Sequence, residues 1–98
     1  MNWLEWYRIV AYGNVRDVPR YVLVANAAED AFFILDAGDS PIYTIHDAGG
    51  EASEAMVALD RHVTGSEALP ALGCIPVEHV QFDETGREAL KLTSPPIV

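Results

Sequence analysis

A chain of 98 residues with 15 acids against 6 bases, a formal net charge of −9 and half its residues apolar makes one folded domain rather than a disordered acidic tail. That charge excludes nucleic-acid binding driven by counterion release, and an anionic membrane surface is an equally poor partner. Cys74 is the single cysteine, so an internal disulfide is excluded, and no apolar run reaches the length of a spanning helix. The stretch from Met1 to Trp6 lacks the basic head and apolar run of a signal peptide, and a cytoplasmic location is expected.

Residues 3–12 fit two periods. Trp3, Trp6, Tyr7 and Val10 sit at helical spacing, whereas Leu4, Trp6, Val10 and Tyr12 share one face of a strand interrupted by Arg8. A strand is expected, because aromatic and β-branched residues suit a pleated surface. Gly13-Asn14 reads as the turn after it. Pro19 has no backbone donor and marks the start or edge of a strand over 20–25. Residues 26–30 form a loop, 31–35 a strand and 42–46 its return, joined across 37–40 with Gly38 expected at positive φ.

The spacing then predicts one principal helix over about residues 50–64. Ala52, Ala55, Met56, Leu59 and Val63 form its apolar stripe, with Ser53, Glu54 and Asp60 exposed. Gly65 is the left-handed residue that ends it. Residues 66–76 read as a loop with at most one short turn around Glu67-Ala68-Leu69, since Pro70 and Pro76 argue against anything longer. Residues 77–82 and 87–92 form a second hairpin, and 93–98 an extended, frayed tail. The expected fold is α+β: a single domain with a mainly antiparallel sheet of five to six strands and the helix packed on one face.

Residues 21–24 and 32–35 are apolar on both faces, and one helix covers one face. The N-terminal aromatic segment, a rolled-up sheet or a second chain must cover the other. A homodimer is expected, with Trp3, Trp6, Tyr7 and Tyr21 near its seam.

Between Arg20 and Arg61 there is no Lys or Arg, yet Glu29, Asp30, Asp36, Asp39, Asp47, Glu51, Glu54 and Asp60 lie there. Unpaired carboxylates lose too much hydration to be buried together, so a solvated negative surface is expected. Such a surface keeps a small protein soluble, and it also attracts a basic protein partner. On the second reading the chain is a non-catalytic protein-binding module: an inhibitor, an immunity or antitoxin-like protein, an accessory subunit, or an imitator of nucleic-acid charge. Asp36, Asp39, Glu51 and Glu54 would steer the partner, while Trp3, Trp6 and Val57, an apolar residue on the helix's polar face, would anchor it.

The rival is a small enzyme or ligand-binding domain with a pocket between helix and sheet lined by His46, His62 and His79. At least two of these histidines would converge there with shifted pKa values. No H-x-x-x-H, H-E-x-x-H or C-x-x-C run is present, so no metal site and no cofactor are expected. Cys74 lies among apolar residues and reads as a small hydrophobe rather than a nucleophile partnered by His79.

Overall fold

The computed structural model of the chain describes residues 4–39, 41–66, 69–84 and 88–98, without the Asp39 side chain. Strand β1 (Tyr7–Val15) is followed by β2 (Val18–Ala25), β3 (Phe32–Asp39), β4 (Ile42–Gly49) and helix α1 (Ala52–Thr64). Then come β5 (Ala71–Pro76), a 3-10 turn (Val77–His79), β6 (Val80–Phe82) and β7 (Ala89–Leu92). The fold is α+β, with one helix on an antiparallel sheet of seven strands among the described residues, where five to six were expected.

The added strand is β5, in the segment expected to be a loop. It pairs with β4 from Ile42↔Pro76 to His46↔Ala71. Pro70 just before it, Gly73 within it and Pro76 at its end weaken the local signal for a strand, but an edge position tolerates them. Residues 77–82, expected as one strand, divide into the 3-10 turn and the short β6.

The strand order β5-β4-β3-β2-β1-β7-β6 forces the sheet to curl. Laid flat, it would separate β5 from β6 by six gaps of about 4.8 Å, on the order of 29 Å. The chain from Pro76 to Val80 reaches at most about 14 Å. The two edges must therefore approach each other. The C-terminal segment adds a tie: Cys74 N–H donates to the Ile97 carbonyl and Ile97 N–H to the Cys74 carbonyl, each at 2.8 Å.

Curling answers the two-faced strands. Val22, Val24, Phe33 and Leu35 turn into the curl with Ile45, Ile75, Leu90 and Leu92. Their neighbours Tyr21, Leu23, Phe32 and Ile34 face α1 and pack with Ala55 and Leu59. Both faces are thus covered within one chain. Tyr7 and Tyr21, expected near a dimer seam, are buried in these two cores, and Tyr7 meets Phe33 edge-on at 6.1 Å. Trp6 is exposed and lies near Lys91, whose ammonium stands 5.5 Å from the indole centre. Trp3 lies outside the described residues.

Two turns differ from expectation. Gly13-Asn14 lies inside β1, and the chain reverses at Arg16-Asp17, both left-handed with φ of 52° and 64°. Gly38 belongs to β3 rather than to a left-handed turn. A Cβ there would stand 2.3 Å from the Arg20 guanidinium, so glycine makes room for that side chain.

Helix α1 follows Glu51, an extended residue whose side chain makes no capping bond. It ends at Gly65, φ 74°, where Gly65 N–H bonds to the His62 carbonyl and Ser66 N–H to the Arg61 carbonyl. This is the double bond of a Schellman stop. The buried stripe runs through Ala55 and Leu59, with Ala58, His62 and Val63 half-buried. Ala52 and Met56 are exposed, contrary to the expected stripe, because the helix rests on the sheet along its Ala55–Leu59–His62 side.

Candidate functional site

Strand register brings acid and imidazole together beneath the last turn of α1. Tyr21 pairs with Asp36 across β2 and β3, and Ile34 pairs with His46 across β3 and β4. Tyr21, Ile34, Asp36 and His46 therefore share the helix-facing side, since side chains alternate along a strand. His62 comes down from α1 onto them. Its ring centre lies 4.6 Å from that of His46 and 4.8 Å from that of Tyr21, the latter edge-on.

Each member is held by specific bonds. His46 is buried, and its Nδ1 lies 3.0 Å from the Leu69 carbonyl oxygen. Asp36 Oδ1 accepts from Arg20 Nε at 3.0 Å and from Gly38 N–H at 2.8 Å. Its Oδ2 stands 3.9 Å from His62 Nε2. His62 Nδ1 is buried, with no hydrogen-bond partner among the described residues.

The electrostatics follow from this packing. Burial pushes the His62 imidazole below its usual pKa and His46 adds to that shift, while Asp36 opposes it. Burial works to raise the Asp36 carboxyl, but hydrogen bonds from Arg20 and Gly38, with the charges of Arg20 and His62, outweigh it and hold the pKa below its ordinary value. Burial raises the Tyr21 hydroxyl, as does the charge of Asp36.

Of the three histidines expected in one pocket, His46 and His62 meet and His79 does not. His79 Nδ1 lies 2.8 Å from Ser94 Oγ on another part of the molecule. Asp36 was expected in an exposed acidic block. It is instead half-buried and bound to Arg20. The sequence held no local sign of its meeting with the histidines, which depends on strand register alone.

The remaining acids divide. Glu29 pairs with Arg8, and Asp47 accepts from Gly49 N–H at 2.8 Å. Glu51, Glu54 and Asp60 are exposed along α1. A groove of about 450 Å³ beside α1 is lined by Asp47, Glu54, Val57, Ala58, Arg61 and Leu69, among others. Val57 is 50% exposed there. Trp6 lines a separate cleft with Arg8, Glu29, Asp83 and Glu88. Glu54 and Val57 are thus together, Glu51 is close to them in the chain, and Trp6 is elsewhere. The Asp39 side chain is outside the described residues.

Cys74 is half-buried with a free thiol. No helix among the described residues is long and apolar enough to cross a membrane. No protein-family model, curated protein or solved structure matches the chain.

Proposed function

We propose that the protein is a non-catalytic binding module that receives a basic segment of another protein in the groove beside α1. The observation that carries this reading is Val57, half exposed in that groove with Glu54 and Asp47 around it. An apolar floor of Val57, Ala58 and Leu69 with two carboxylates, Asp47 and Glu54, beside it suits a segment that alternates basic and apolar side chains. The apolar part supplies contact area, and the charges supply steering and register. Arg61, also in the lining, orients the partner by repelling its basic groups there. The net charge of −9 adds long-range attraction. Asp36 has no part in this steering, because Arg20 and Gly38 engage it.

The test uses a fluorescent peptide of alternating lysine and leucine with the full chain. Binding should shift the amide signals of Glu54, Val57 and Arg61, and Val57→Arg should abolish it. Association should slow as salt shortens the screening length from about 10 Å at 0.1 M to about 3 Å at 1 M. An on-rate indifferent to salt, or signal changes confined to other surfaces, would reject the docking reading.

A second reading, a ligand-binding or catalytic His pocket, is favoured by one observation: the convergence of His46 and His62 with a lowered His62 pKa. Against it, neither histidine lines the groove beside α1 or the cleft that holds Trp6.

A further inference from the structure

We propose that Asp36, His46 and His62 bind one divalent transition-metal ion of the zinc type. None of the three ligands lines the docking groove, so the two proposals are tested separately.

Three elements converge on it. Asp36 comes from β3, His46 from β4 and His62 from α1, and one ligand atom of each lies within 4.8 Å of the others. Two imidazoles and a carboxylate are a donor set that zinc and ferrous iron accept, and calcium or magnesium would prefer oxygen alone.

The surroundings match what a metal ligand needs. A ligating imidazole is commonly oriented by a bond from its other ring nitrogen to a carbonyl or carboxylate. The bond of His46 Nδ1 to the Leu69 carbonyl is of this kind. It places the proton on Nδ1 and leaves the Nε2 lone pair for an ion. A ligating carboxylate is likewise held from outside. Arg20 and Gly38 hold Asp36 through Oδ1 and leave Oδ2 towards His62. His62 presents Nε2 to Asp36 Oδ2, while its buried Nδ1, the nitrogen turned away from Asp36, has no hydrogen bond among the described residues.

Geometry sets what binding must do. Ligands about 2.1 Å from a tetrahedral zinc lie about 3.4 Å apart. The 3.9 Å between Asp36 Oδ2 and His62 Nε2 is wider, so the ion draws the side chains inward. His62 can supply that movement, because it sits in the last turn before the Gly65 stop. His46 and Asp36 are fixed on the sheet. Three protein ligands leave a fourth position for water or a small ligand, whereas purely structural zinc sites use four protein ligands. With neutral imidazoles the donor set carries one negative charge, which offsets part of the ion's charge.

Calorimetry with zinc chloride on the chelator-treated, untagged full chain tests this. The expected result is one zinc per chain. His62→Gln and Asp36→Asn should each weaken binding about 100-fold or more, and His79→Gln should leave it unchanged. Circular dichroism checks that each variant is folded. Should a variant fail to fold, the wild type still decides: zinc should shift the imidazole NMR signals of His46 and His62 and spare His79. Cobalt in place of zinc should give the visible bands of a tetrahedral site. No stoichiometric binding by the wild type, or equal loss in His79→Gln, would overturn the proposal.

Discussion

Gly13 of β1 lies directly under Val63 of α1: a Cβ at Gly13 would stand 2.6 Å from Val63 Cγ2 and 3.1 Å from Leu59 Cδ1. Glycine here sets how closely the helix can sit on the sheet. Gly13→Ala should destabilise by about 1–3 kcal/mol, the range for overpacking a filled core. Val63→Ala in the same chain should recover part of the loss. Urea unfolding of the single and double variants measures it, and additive losses would show that the helix does not press on Gly13.

Leu59 and Met56 separate the buried and open sides of the helix. Leu59 is 5% exposed and Met56 45% exposed. Leu59→Ala should cost about 2–5 kcal/mol and Met56→Ala less than about 0.5 kcal/mol. Thermal and denaturant midpoints compare them. Equal costs would mean that the helix is rotated from this orientation.

The β1–β2 turn carries two left-handed residues, and Arg16 lacks the usual chemistry for it while Asp17 tolerates it less well than glycine. Arg16 and Asp17 both have positive φ, and they connect Val15 to its partner Val18. Two-residue turns of this kind favour Asn-Gly. The double change Arg16→Asn with Asp17→Gly should stabilise the protein by about 1–2 kcal/mol, since each non-glycine residue in that region carries a steric cost. A lowered denaturation midpoint would show that the native pair makes compensating contacts.

Tyr7 gives an alkaline limit to stability. Burial raises its hydroxyl pKa, and the charge of Glu5 raises it further. The unfolded chain ionises this hydroxyl near pH 10 and the folded chain only above that. In the interval the unfolded state holds fewer protons, so stability falls as pH rises, and the loss is complete above the folded value. Below about pH 9 this contribution is constant. Tyr7→Phe should flatten the fall relative to wild type in urea midpoints measured from about pH 8 to pH 11. Parallel curves would place the hydroxyl in contact with water.

What the sequence by itself determined were the features that short-range physics controls. Helix α1 and its stop at Gly65 follow from spacing and from the conformational freedom of glycine, and both are legible in a window of a dozen residues. The two-faced character of 21–24 and 32–35 is equally local, and it required cover on both sides. The charge block was legible as composition, although its division into exposed acids on α1 and a half-buried Asp36 was not.

What covers the second face was decided only by the tertiary structure. Strand β5 follows Pro70, ends on Pro76 and has no convincing local pattern. Its bonds to β4 make it a strand, and the short link to β6 draws the edges of the sheet together. The candidate metal site has the same origin. Asp36 and His46 face the helix because Ile34 opposes His46 and Tyr21 opposes Asp36. Neither register is written in a local motif, since strand pairing joins distant segments whose affinity depends on the whole closed sheet. His62 reaches them only because α1 lies across that face. A search for closely spaced ligands therefore passes over three residues that the fold holds within 4.8 Å.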